Sequence, residues 1–144
     1  MEKYIGTKTI KAKKCSIEEA VEFLGKPIAA SEPNIEVYVV EYKDGYRSWS
    51  PVGPFEDAYR PTDGLTFGIA LELMKQGKKV ARKGWNGAGM SLQYQFPDKN
   101  SKMSLPHLYL TIRDGAQDCE EGERRLPWQP AQVDMHKEDW FMLD

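Results

Sequence analysis

Apolar and polar positions along this chain change period several times, and the changes mark its elements. From Tyr4 to Lys14 the pattern alternates loosely, with Ile5, Thr7 and Thr9 set against Tyr4, Lys8 and Ile10, which predicts a strand. At Ser16 the period lengthens: Ile17, Ala20, Val21 and Leu24 recur at helical spacing, and Ser16 with Glu19 forms a capping box at the start. Gly25 and Pro27 end that helix. Alternation returns in Ile35–Tyr42, rich in β-branched and aromatic residues. Asp44-Gly45 then predicts a two-residue type I′ turn into a return strand, Tyr46–Trp49. Pro51 and Pro54 stop that strand, Phe55–Tyr59 supplies about one helical turn, and Arg60–Gly64 is a short linker.

A second helix follows. Thr66 caps it, Phe67, Ala70, Leu71 and Met74 line one face, and Gly77 stands where a left-handed cap belongs. Beyond it the pattern is strand-like in short pieces: Lys78–Lys83, then a glycine-rich turn at Trp85–Gly89, then Met90–Phe96 and His107–Arg113. Asp114-Gly115 is a further turn signal, Asp118–Arg125 reads as a charged loop, and the tail from Trp128 to Leu143 holds at least one more strand. Short strands with few helices predict an antiparallel α+β fold.

Composition narrows the function. The chain has 144 residues, 40% hydrophobic and 29% charged, which suits one compact domain or two very small ones. Nine basic residues face ten acidic ones in 1–60 and eleven face twelve in 61–144, for a net charge of −2. Such balance argues against a protein that tracks nucleic-acid phosphates. No apolar run is long enough to span a bilayer and no secretory leader is visible, so a cytoplasmic location is expected. Cys15 and Cys119, 104 positions apart, are expected to be free thiols, and two isolated histidines offer no metal-ligand spacing.

Residues that could carry chemistry are few. Gly87-Ala88-Gly89 precedes a strand rather than a helix, so it lacks the helix N-terminus that binds a dinucleotide pyrophosphate. Ser48 and Ser50 sit on no nucleophile elbow. Asp134–Asp139, with His136 at its centre, reads either as an acid–base cluster or as a solvated charged turn. Glu120–Arg125 reads as a solvated loop tip. Trp85 and Asn86 on one turn, and Trp128 between Pro127 and Gln129, serve either as rim-of-core residues or as a nucleotide site. In the second case an indole stacks on a base, an amide reads its edge and a carboxylate accepts from ribose hydroxyls.

Several runs taken together resemble a known family. These are Leu65–Leu71, Gly77–Gly87 with Gly89-Met90, Pro106-His107-Leu108, Asp114-Gly115, Pro127-Trp128, and Gln132–Met135 leading to Glu138-Asp139-Trp140. Over residues 62–144 the chain is similar to the second Thoeris anti-defence family of phage-encoded small domains. Residues 1–61 resemble an accessory module found ahead of that domain in some phage and prophage proteins.

The resemblance implies an α+β fold: a small antiparallel sheet packed against a helix, preceded by a small α+β N-terminal module. It implies a homotetramer with ligand pockets between subunits, acting in the host-cell cytoplasm, with no catalytic residues, metal or cofactor and no nucleic-acid or membrane partner. The implied activity is sequestration, without cleavage, of a cyclic ADP-ribose-type signal made by a TIR protein, or of a cyclic oligonucleotide. Carried onto this chain, Trp85, Asn86, Met90, Trp128, Gln132 and Asp134 are expected near the ligand. Arg82 is expected to face a pyrophosphate and Asp139 to anchor a strand end, with Trp140 in the core. Ile69 departs from the family pattern, leaving the Thr66 cap without its acidic partner, and the Asp118–Arg125 stretch is longer and more charged than expected. The alternatives are a phage accessory interaction protein, with Tyr46, Trp49 and Tyr59 marking a partner surface, and an enzyme that degrades the signal through Glu138, Asp139 and His136.

Overall fold

The computed structural model describes residues 1–29, 34–85, 89–113 and 122–143. The chain divides into two compact units, Met1–Arg60 and Pro61–Asp144. Each pairs an antiparallel sheet with helices, so the fold is α+β.

In the first unit β1 (Lys11–Ser16) leads directly into α1 (Ile17–Leu24), followed by β2 (Glu36–Glu41), β3 (Arg47–Pro51) and α2 (Val52–Ala58). The strands lie in the order β1-β2-β3. Ser16 accepts from the Glu19 N–H while Glu19 accepts from the Ser16 N–H, and Gly25 closes α1 at φ 66°. Cys15, Ala20, Val37 and Val39 form the core, with Phe23 and Trp49 packed on it. The opposite parity of β2 carries Tyr38, which stacks on Phe55 of α2 at 3.9 Å.

Two expectations shift here. The first strand starts at Lys11, paired with Glu41 at the end of β2; residues before Lys11 pair with no strand among the described residues, and Tyr4 and Ile5 stay exposed. The hairpin turn is also not type I′, because Gly45 alone takes positive φ (84°) while Asp44 does not. The Gly45 N–H donates to the Tyr42 carbonyl and the Tyr42 N–H to the Tyr46 carbonyl. That is a three-residue loop, a turn followed by a left-handed glycine.

The second unit runs α3 (Phe67–Lys75), β4 (Lys79–Arg82), β5 (Met90–Gln95), β6 (His107–Arg113), β7 (Glu123–Pro127), α4 (Gln132–His136) and β8 (Trp140–Leu143). Its sheet is antiparallel throughout, in the order β7-β6-β5-β4-β8. Thr66 caps α3 by accepting from the Ile69 N–H. Ala70, Leu73 and Met74 then bury against Val80, Leu92, Leu110 and Trp140. Leu65 pairs with Trp140 and the Met142 N–H donates to the Thr62 carbonyl, so the outer edge of β8 is covered by the chain leading into α3.

The charged stretch read as a loop through Arg125 is a strand from Glu123 onward, because Glu123, Arg124 and Arg125 pair with Arg113, Ile112 and Thr111. Asp134–Asp139 is likewise not a solvated turn. Asp134–His136 end the short helix α4 and Asp134 is buried, while His136, Lys137 and Glu138 stay exposed. Cys15 is a buried free thiol. Cys119, the Asp114-Gly115 turn signal and the first half of the 118–125 stretch, residues 118–121, lie outside the described residues. No helix among the described residues is long and apolar enough to cross a membrane.

Two substitutions test this packing. Gly89 has φ 77° and a Cβ there would stand 2.4 Å from the Arg113 carbonyl oxygen. Gly89→Ala is therefore expected to lower stability by roughly 1–3 kcal/mol or more, read by denaturant unfolding. Trp140 is completely buried. Trp140→Ala is expected to lose about 3–5 kcal/mol, seen as a collapsed unfolding midpoint.

Candidate functional site

Strand alternation gives the second sheet two different faces. Val80, Leu92 and Leu110 point to α3. The Val80–Leu92 pairing sets Ala81 beside Ser91, and Ser91 pairs with Thr111, so three small side chains line up across the other face. All three are buried, and they floor an open groove of about 840 Å³. Phe141 and Leu143 of β8 form one apolar wall. Lys79, Lys83 and Arg113 bring positive charge, and Glu123 brings a carboxylate. Trp85 and Met90 also line it. The Gln93 amide donates to the Thr111 hydroxyl oxygen at 3.0 Å, orienting that floor residue.

Beside the groove sits an aromatic cluster. Trp85 meets Trp140 edge-on at 5.4 Å and Trp128 at 6.2 Å, and Phe67 at the start of α3 contacts both Trp128 and Trp140. Trp140 is locked by its indole N–H, which donates to the Asp134 carbonyl at 2.9 Å. Trp85 and Trp128 remain half-buried.

Arg82, at the end of β4, ties these parts together. Its Nε and Nη2 donate to the two carboxylate oxygens of Asp139 at 2.8 and 3.1 Å, and its Nη1 donates to Asp134 at 2.7 Å. Asp139 also accepts from the Gly84 N–H, and Asp134 accepts from the Ala131 N–H that opens α4. Hydrogen bonding from Arg82 holds the Asp139 carboxyl below its ordinary range. Burial pushes Asp134 up, but the Ala131 N–H, Arg82 and the Trp85 side chain outweigh it, and the net shift is downward. The same partners, Asp139 first, raise Arg82.

The residues singled out from sequence thus fall into separate groups. Arg82, Trp85 and Met90 border the groove. Trp85 and Trp128 share the aromatic cluster. Arg82, Asp134 and Asp139 form the ion-paired triad, so a phosphate contact at Arg82 or a ribose contact at Asp134 would require opening a nearly buried pair. Gln132 begins α4 and is exposed, away from the groove lining. Asn86 lies outside the described residues. Ser91, Thr111, Arg113, Lys79, Lys83 and Glu123 were not anticipated as site residues. Their signal was parity: each strand's positions between its core residues must face the other side of the sheet.

The triad sets a pH dependence. Both carboxyls are held below their unfolded values, so the native state binds fewer protons than the unfolded chain in the acid range. Their contribution is complete above the unfolded value near 3.8 and is lost as pH falls through the lower native values. Unfolding midpoints are expected to fall steeply below about pH 4, and Asp139→Asn is expected to flatten that slope.

Comparison with known proteins gives a family for this unit. Residues 65–143, more than half of the chain, match the family model described as Tad2-like, the Thoeris anti-defense 2-like domain. A relative, "Thoeris anti-defense 2" of Bacillus phage SP01, is 28% identical over 92 residues, covering 55% of this chain and 94% of its own length. The matched segment contains the groove, the aromatic cluster and the Arg82 triad, and the chain belongs to the Tad2-like, Thoeris anti-defense 2-like family.

Proposed function

We propose that this protein is a phage anti-defence protein that binds a cyclic ADP-ribose-type signal and holds it without cleaving it. Family membership supports the anti-defence role. The observation that carries the finer reading is the groove itself. One concavity of about 840 Å³ has Trp85 and Met90 at its border, where both also pack on the core, Ser91 and Thr111 on its floor, and cations at Lys79, Lys83 and Arg113. That volume lies within the usual range of small-molecule sites. A ring to stack on a base, hydroxyls for polar edges and cations for phosphates are the complement of a nucleotide.

The electrostatics favour holding over cleaving. A general acid working near neutral pH needs a carboxyl raised toward that pH. Asp134, Asp139 and Glu123 are all shifted the opposite way, each with an arginine as partner. Glu138 and His136, the other members of the acid–base cluster considered above, are exposed side chains. Assembly as a homotetramer in the host cytoplasm belongs to the same reading, with sedimentation of the purified protein as its check.

The test is incubation with cyclic ADP-ribose, removal of free ligand, heat release and chromatography of what is released. Intact ligand in stoichiometric amount is expected. Linear product would favour the enzyme instead, and ligand left free would end the reading. Trp85→Ala is expected to weaken binding about five- to 150-fold, the loss of a stacking contact worth roughly 1–3 kcal/mol. The variant also loses its edge contact to Trp140, so a thermal melt run beside the titration separates lost binding from lost fold.

A further inference from the structure

The groove contains one ion pair that the family reading does not use. Arg113 ends β6 and Glu123 begins β7, directly opposite each other in the ladder. The Arg113 Nε donates to Glu123 Oε1 at 3.1 Å and its Nη2 donates to the same oxygen. Arg125, two residues along β7, donates to Glu123 Oε2 at 3.2 Å. The exposure within this trio is uneven: the Glu123 side chain is 8% exposed, whereas both arginines are 64% exposed. The carboxylate therefore sits beneath two solvent-facing guanidinium groups, and hydrogen bonds from Arg113 and then Arg125 hold it ionised.

A guanidinium presents five donors in a planar fork that suits phosphate oxygens as well as carboxylate oxygens. At Arg113 part of that fork is already taken by Glu123. Lys79 and Lys83 lie in the same groove, and Lys83 reaches Asp63 at 3.2 Å. Thus Arg113 is the guanidinium of the groove left on a solvent-facing rim, since Arg82 is enclosed by its two aspartates.

We propose that Arg113 is the anion anchor of the groove and that Glu123 is a built-in counter-anion which a ligand phosphate must outcompete. Arg113 and Glu123 would then set ligand class together. A pyrophosphate, with charge spread over several oxygens, displaces or outbids one carboxylate, whereas a neutral nucleoside does not. This deepens the proposed binding reading and rests on it for the identity of the natural ligand. The anion anchor itself needs only the ion pair and the groove.

Titration calorimetry on the full chain decides it, with cyclic ADP-ribose and inorganic pyrophosphate as probes and adenosine as the uncharged control. Glu123→Gln keeps the shape and hydrogen-bonding reach of the side chain but removes its charge. It is expected to tighten binding of both phosphate probes about three- to tenfold, with no change for adenosine and a steeper salt dependence. Arg113→Met is expected to weaken both about tenfold or more, and the double variant should match Arg113→Met alone. A residue that merely supports the strand pair would not produce tighter binding when its charge is removed.

The outcomes separate the two proposals. If wild type binds cyclic ADP-ribose but Glu123→Gln binds it equally or more weakly, the counter-anion idea is overturned and the binding reading stands. If wild type ignores cyclic ADP-ribose while Glu123→Gln gains affinity for pyrophosphate, the anchor stands and the choice of ligand falls. If neither protein binds either probe, both proposals fall.

Discussion

The second unit depends on one buried charge. The Arg82 guanidinium sits at the end of β4 with its side chain only 8% exposed, where an unpaired cation would cost several kcal/mol. It is tolerable because two carboxylates from a distant part of the chain converge on it, Asp139 with both oxygens and Asp134 with one. That requirement fixes the path of the C-terminal segment. Asp134 must lie on α4, whose first turn its second oxygen also caps, and Asp139 must immediately precede β8. Trp140 then follows as the buried partner of Arg82 in the ladder.

From this constraint the neighbouring features follow. Holding Trp140 rigid gives Trp85 and Phe67 a fixed surface to pack on, and Trp128 closes the cluster. Asp139 accepting from the Gly84 N–H sets the chain direction just before Trp85. Trp85 is therefore positioned by a backbone hydrogen bond and two ring contacts. A recognition residue needs such support, because a side chain already held in place loses less entropy when a ligand arrives. The same sheet that is tied down on its α3 side leaves Ala81, Ser91 and Thr111 to floor the groove on the other.

Much of the fold could be read from local chemistry. The Ser16–Glu19 box, the Thr66 cap, Ala70 and Met74 of the α3 core face (Leu73, also buried there, falls outside the face read from spacing) and the span of β6 are all decided within a few residues. What escaped was decided by partners distant in sequence. Glu123–Arg125 has no strand-like pattern of its own and becomes β7 only because β6 offers an edge. Asp134 and Asp139 look like solvated charges until Arg82, more than fifty positions earlier, is brought to them. The site divides in the same way. The tryptophans were visible as unusual residues near turns, but the groove was not, because its floor is built from an alanine, a serine and a threonine that are unremarked in sequence.

The division of labour between buried and exposed arginines bears on how such a groove could act. Arg82 has its charge neutralised and its geometry fixed, so it contributes order and little attraction to an anion. Arg113 is solvent-facing and paired, among the described residues, to Glu123, so in the proposed reading its interaction with a phosphate is an exchange of partners. Such exchange stabilises a bound phosphate in its ground state. In the proposed reading this is a contact made with the intact ligand, and the carboxyls of Glu123, Asp134 and Asp139 are held ionised with arginine partners rather than raised toward neutral pH. Interactions equally strong in ground and transition states tighten binding without accelerating chemistry. For a protein whose proposed task is to keep a signalling nucleotide intact and out of solution, that is the appropriate arrangement.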